Sequence, residues 1–128
     1  MNQLIAKVIH IEHVNNLYQL KFMLKTEVIH MVSLEIQHHL KVGDEVKLSV
    51  KSTNISLAKN SVGLLSFSNQ LKGKIQNVNN GKLLSSILID VEGFTLESLI
   101  SLDGSLKMAL KKDDKVVVLI EGSNISLC

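Results

Sequence analysis

A turn of four polar residues near the middle of the chain, Lys51-Ser52-Thr53-Asn54, combines a cation, two hydroxyls and free backbone N–H groups. All of these groups donate hydrogen bonds. A tetrahedral oxyanion carries only acceptor oxygens, so it needs such a set of donors and is repelled by carboxylates. The turn therefore indicates anion binding.

Further donors occur at two other kinds of position. Ser66 and Ser68 lie shortly after the turn, and Ser33 and Ser101 precede segments with a helical pattern. Unpaired N–H groups and the helix dipole favour an anion at a helix start. A serine there is more often a plain helix cap, and an isolated lysine is more often only solvated. The combination of these residues favours the anion, and no single one of them does.

These residues belong to a tandem repeat. The repeat divides the chain into a first copy, residues 1–60, and a second copy, residues 61–128, each predicted to form one barrel. The matched blocks are Asn2-Gln3-Leu4 with Asn69-Gln70-Leu71, Val32-Ser33-Leu34-Glu35 with Ile100-Ser101-Leu102-Asp103, Lys41–Val46 with Lys111–Val116, and Asn54-Ile55-Ser56-Leu57 with Asn124-Ile125-Ser126-Leu127. Units of this size are only marginally stable alone, so the copies are expected to share a core or to oligomerise.

Each copy is predicted to contain five short strands with one small helix between the third and fourth. Alternating apolar residues mark the strands, and Asn15-Asn16 marks a hairpin turn. Helices are predicted over 34–40, capped by Ser33, and from Ser101 to Leu110. That order of elements is typical of an OB-type barrel, so the fold class is all-β with two tandem OB-like barrels.

The composition argues against a basic arm, an intrachain disulfide and a membrane-spanning segment. The 14 basic residues are all lysine and stand against 12 acids, which gives a net charge of +2 and no basic arm. Cys128 is the only cysteine, which fits a reducing compartment, and no signal peptide or membrane-spanning run is present. A cytoplasmic protein is therefore expected.

Catalysis and metal binding are not indicated. No Ser/His/Asp order or paired-carboxylate motif stands out, so the chain is predicted not to be an enzyme. Its five histidines all lie in the first copy, and their spacing matches no known metal set; they are His10, His13, His30, His38 and His39. No cofactor is expected.

The same polar segments resemble those of the Mop-type molybdate-binding domain, also called the TOBE fold. Val50–Ala58 is similar to the segment that ends such a domain, and Ser66–Ile75 to the one that begins it, where the family usually has Ser-Ala-Arg-Asn-Gln-Leu. Val32–Glu35 resembles the family's Thr-x-Glu stretch, and Ser123–Cys128 the end of the molybdate-responsive transcriptional regulator. The resemblance covers nearly the whole chain as two copies, as in a tandem molbindin.

What the resemblance implies is an oligomer, a dimer or trimer, that binds molybdate or tungstate between barrels. Lys51 and Ser52 would supply a cation and a donor, Ser66 would match the family's first serine, and Ser33 its threonine. Thr53, Ser68, Ser101 and Ser123 complete the candidate oxyanion-binding set.

Three departures from the family pattern lower the expected number or strength of sites. Ser68 replaces the arginine of the opening motif, which removes a charge-assisted contact. The first copy begins at Met1-Asn2 and lacks the preceding serine and arginine. Glu121 stands where the first copy has Lys51, and its carboxylate should repel an oxyanion. The best site is therefore expected around Lys51.

The sequence thus predicts a free-standing molybdate- or tungstate-binding protein for storage, homeostasis or sensing. An interaction module that has lost its ligand is the main alternative, given Ser68 and Glu121. A nucleic-acid-binding barrel needs stacking aromatics and a basic groove, and the chain has only four aromatic residues, namely Tyr18, Phe22, Phe67 and Phe94.

Overall fold

The computed structural model describes residues 2–36, 39–60 and 63–128. Their backbone forms ten strands, one α-helix and two 3₁₀ turns. The strands are β1 Asn2–Val14, β2 Leu17–Leu24, β3 Glu27–Ser33, β4 Glu45–Val50, β5 Ser56–Ala58, β6 Asn69–Asn80, β7 Leu84–Val91, β8 Phe94–Ser101, β9 Lys115–Ile120 and β10 Ser126–Leu127. The helix α1 is Leu102–Lys107, and the 3₁₀ turns are Ser52–Asn54 and Gly122–Asn124.

The strands form two five-stranded antiparallel sheets, and the two copies exchange their last strands. The first sheet has the order β10-β4-β1-β2-β3 and the second has the order β5-β9-β6-β7-β8. Ser126 pairs with Ser49 of the first copy, and Ser56 pairs with Leu119 of the second. The all-β class and the tandem OB-like layout are confirmed, and each sheet takes its fifth strand from the other copy.

The first hairpin follows from its turn residues. Asn15 and Asn16 have φ of 51° and 65°, the left-handed values that a two-residue hairpin turn requires and that asparagine tolerates well. The predicted turn is therefore confirmed. The first strand of each copy also carries a bulge, between Val8 and His10 in β1 and between Ile75 and Asn77 in β6. A bulge bends its strand, which helps each sheet to curl.

The core runs through both copies. Alternate residues of β1 are buried, and the largest fully buried side chain is Phe22 of β2. The apolar run from Val116 to Ile120 belongs to β9, between β5 and β6, and four of its five residues are buried inside the chain.

The predicted helix of the second copy is confirmed but ends at Lys107, three residues before the predicted Leu110, whereas that of the first copy is wrong over the described residues. Ser101 caps α1, its hydroxyl accepting from the Gly104 N–H at 3.0 Å. In the first copy, Leu34–Ile36 and His39–Leu40 are not helical, and the remaining predicted positions, Gln37 and His38, lie outside the described residues. The Ser33 hydroxyl donates to the Glu35 carbonyl at 2.7 Å, a local bond that competes with helix formation.

Candidate oxyanion site

A small polar cavity lies where the two copies exchange strands. The chain passes from β4 through the first 3₁₀ turn to the other sheet, and from β9 through the second 3₁₀ turn back again. The two turns meet around a cavity of about 210 Å³, which we call the junction pocket. It is lined by Val50 and by six polar residues, namely Ser49, Lys51, Asn54, Ser123, Asn124 and Ser126.

The chemistry of the junction pocket suits a small anion. Three hydroxyls, two amides and one ammonium group line it, and none of the described lining residues is a carboxylate. Its volume is below the roughly 300–1,000 Å³ of pockets for drug-sized ligands. A buried serine on β4, Ser49, stands directly opposite Ser126 of β10, so one wall is fixed by the paired strands.

Two of the sequence-predicted residues meet in this pocket. Lys51 comes from the first copy and Ser123 from the second. Ser123 also lines an adjoining cavity of about 430 Å³ together with Ser33, although Glu35 lines that cavity as well. The structure therefore brings Lys51, Ser123 and Ser33 to one region of the molecule.

The hydroxyl of Ser52 is directed elsewhere, to a carboxylate of the second copy. It donates to Glu97 Oε1 at 2.8 Å, and Ser86 donates to Glu97 Oε2 at 2.6 Å. These two bonds, Ser86 first, hold the pKa of Glu97 below its usual range. An anion thus lies beside Ser52, but it belongs to the protein itself.

The equivalent position in the second copy is arranged differently. Gly122 replaces Ser52, and its N–H donates to the hydroxyl of Ser68 at 3.4 Å. Ser68 in turn donates to Glu121 Oε2 at 3.2 Å. The carboxylate that the sequence identified as repulsive therefore contacts the serine that stands where the family has arginine.

The other candidates lie apart from the junction pocket. Ser101 is used as the cap of α1. Thr53 is exposed beside the pocket, in the same turn as Asn54, and Ser66 is exposed in the segment before β6. These three residues are not among those that line the cavity.

Sequence reasoning missed the two asparagines that hold the copies together. Asn2 begins β1 and Asn69 begins β6, the first strand of each copy, and both are buried. Asn69 accepts from the His30 N–H at 2.7 Å and donates to the His30 and Ile120 carbonyls at 2.9 and 3.1 Å. The sequence signal for them was their place in the repeated Asn-Gln-Leu block. A polar residue found at the same position of both copies indicates a structural role common to both.

The described residues contain neither a metal-binding cluster nor a membrane-spanning helix. Within residues 2–36, 39–60 and 63–128, no group of three or more His, Cys, Asp or Glu side chains is arranged to hold a metal ion. In the same residues, no helix is long and apolar enough to cross a membrane.

The fold and the junction pocket define a class, that of tandem OB-like barrel proteins with a donor-rich cavity between the copies. A crystal structure of the cytoplasmic molybdate-binding protein ModG, grown from PEG with molybdate bound, has the same fold. Its TM-score is 0.92 at 22% sequence identity, with 98% of this chain and 94% of that chain covered. No curated protein matches in sequence.

The family model of the TOBE domain matches residues 65–127. The match lies in the second copy, and the resemblance to the TOBE domain drawn from the sequence is confirmed there.

Proposed function

We propose that the protein binds molybdate or tungstate, and that the junction pocket is its site. One observation carries the proposal: turns from both copies build a small cavity lined by donors and by the ammonium-bearing side chain of Lys51. The likeness in fold to a protein solved with molybdate bound supports the choice of ligand.

The donor set explains why a tetrahedral oxyanion is the expected ligand. Its four oxygens accept from several directions, and the lining residues contribute hydroxyl and amide donors from β4, β10 and both 3₁₀ turns. Lys51 adds a charge-assisted bond, which is about twice as strong as a neutral one. Molybdate and tungstate are nearly equal in size and charge and should bind alike, whereas the smaller sulfate should bind much less tightly.

The proposed role is storage, homeostasis or sensing of the anion in the cytoplasm, by an oligomer and without catalysis. Such roles need reversible binding and no turnover. A nucleic-acid-binding barrel receives less support, because Phe22 is wholly buried and the ring of Phe94 lies under the Lys25 ammonium, 5.5 Å from the ring centre. A wholly buried ring such as that of Phe22 cannot stack on a base.

Isothermal titration calorimetry with molybdate, tungstate and sulfate tests the proposal. Saturable heat with the first two anions and much weaker binding of sulfate is the expected result. A protein that shows no saturation with any of the three at millimolar concentration would instead be an interaction module without a ligand, a reading that the carboxylates of Glu97 and Glu121 would then explain.

A further inference from the structure

A second cavity, distinct from the junction pocket, is lined by a row of basic side chains. His10 of β1 pairs with Lys21 of β2, and Lys21 pairs with His30 of β3. Directly paired residues of antiparallel strands project from the same face. The three side chains therefore stand side by side and line one cavity of about 330 Å³, and Ser68 adds a hydroxyl from the segment before β6. We call this cavity the basic row pocket.

When its histidines are protonated, such a row is unfavourable unless a negative charge compensates for it. Like charges directly opposite one another destabilise a sheet. Imidazole is the side chain that changes charge between about pH 5 and 8. The row therefore carries one positive charge when both histidines are neutral and three when both are protonated.

The acidic groups near the row set the sign of the pocket. Glu12 Oε1 lies 3.7 Å from His10 Nε2, and Glu121 accepts the hydroxyl of Ser68. With both carboxylates ionised, the local charge is −1 when both histidines are neutral and +1 when both are protonated. The pocket therefore changes from repelling an anion to attracting one as the histidines gain protons.

The repeat supplies an internal comparison. His30 and Glu97 occupy equivalent positions, since the backbone of His30 is bound by Asn69 in the way that Glu97 is bound by Asn2. In the second copy, the carboxylate of Glu97 fills this position and receives hydroxyl bonds from Ser52 and Ser86. In the first copy, no carboxylate comes from position 30, and an imidazole, an ammonium and a hydroxyl face the cavity instead.

We infer that the basic row pocket is a second binding site, for a small tetrahedral dianion, and that its occupancy rises as His10 and His30 become protonated. It shares no lining residue with the junction pocket. Binding there does not depend on binding at Lys51.

Nuclear magnetic resonance of the histidine rings tests this site directly, with sulfate as the probe because sulfate keeps both charges across the pH range. The ring signals of His10 and His30 report protonation and binding together. They should shift saturably with sulfate, with an affinity about fivefold or more higher when both rings are protonated than when both are neutral, since two charges are added. His13, stacked on Tyr18 at 4.0 Å and outside the pocket, serves as the reference.

A pair of lysine variants completes the experiment. Lys21→Gln should weaken sulfate binding by about two- to fivefold, the range for one exposed charge pair. Lys7→Gln removes an exposed lysine of the same sheet that does not line the pocket and should leave the affinity unchanged. Equal shifts of His13, or equal affinities of the two variants, would mean an adventitious ion only and would overturn the site. Loss of molybdate binding in Lys51→Ala with the histidine shifts intact would separate the two pockets.

Discussion

Asn2 and Glu97 bind each other through two hydrogen bonds that join the start of the first copy to the third strand of the second. The Glu97 N–H donates to Asn2 Oδ1 at 2.7 Å, and Asn2 Nδ2 donates to the Glu97 carbonyl at 2.9 Å. Asn69 makes the same pair of bonds with His30 in the opposite direction. Each copy is thus fastened to the other at two related points.

These bonds and the exchanged strands fix the segments around the junction pocket. The junction pocket is built by segments whose neighbours are fixed by the opposite copy, because β10 pairs with β4 and β5 pairs with β9. A site of this kind is preorganised, and less binding energy is lost in ordering it.

Asn69→Ala should destabilise the protein by about 2–4 kcal/mol, because it removes three hydrogen bonds at a side chain that is 1% exposed and leaves buried groups without partners. Urea denaturation followed by circular dichroism measures the change. Asn79→Ala, at an exposed position of the same strand, should change the stability by less than about 0.5 kcal/mol. Equal stability of the two variants would show that the asparagine bonds do not hold the copies together.

Much of the fold could be predicted from the sequence, because the strands alternate and Asn15-Asn16 has turn chemistry. The strand exchange could not, since β5 and β10 derive from identical segments, Asn54–Leu57 and Asn124–Leu127, and either would fit either sheet. For the site, the meeting of Lys51 with Ser123 follows from that exchange. The bond from Ser52 to Glu97 joins residues 45 positions apart, and no local pattern reports it.

Glu97→Gln should raise the amount of molybdate bound at saturation or its affinity. The change removes a negative charge beside Ser52. It also weakens the hydrogen bonds that the Ser52 and Ser86 hydroxyls donate to the side chain at position 97. Calorimetry of the variant and of Glu45→Gln, an exposed position on β4, provides the comparison. Identical titrations for both variants and wild type would exclude Ser52 from oxyanion binding.

Asp114→Asn should destabilise the protein at neutral pH and much less in acid. Lys59 Nζ lies 2.9 Å from Asp114 Oδ2, and this bond, more than the one from the Lys111 N–H, lowers the pKa of the carboxyl. A lowered folded-state pKa stabilises the protein above the ordinary aspartate value, about 3.9, and the effect disappears as pH falls through the folded value.

Urea midpoints of wild type and Asp114→Asn, measured from about pH 7 to about pH 2, should therefore converge below about pH 4. Asp113→Asn is the matched control, because the side chain of Asp113 is 68% exposed and its Oδ1 lies 3.7 Å from Lys74 Nζ, a longer and more solvated contact. A gap between wild type and Asp114→Asn that stays constant with pH would rule out the ionised carboxylate as its cause.

The protein should form a homo-oligomer, although the apolar run of β9 is used inside the chain. Large apolar side chains remain on the surface, among them Leu64, Leu83 and Leu34, which are 102%, 82% and 73% exposed. Sedimentation velocity over a micromolar concentration series, with and without molybdate, should show species heavier than the 14.1 kDa chain. A single monomer peak under both conditions would contradict the prediction.

Lys51→Ala should weaken molybdate binding by about ten- to a hundredfold. A hydrogen bond to a charged group contributes roughly 1.5–3 kcal/mol, and about 1.4 kcal/mol is one decade in affinity. Lys47→Ala removes an exposed lysine of β4 that does not line the junction pocket and should bind as wild type. Ser52→Ala should weaken molybdate binding less than Lys51→Ala, since the Ser52 hydroxyl is engaged by Glu97.

Glu121→Lys should add binding sites, because it removes the carboxylate at Ser68 and restores the residue type of the first copy. Calorimetric titration of these variants measures both affinity and stoichiometry, and a Lys51→Ala protein that binds as tightly as wild type would place the site elsewhere.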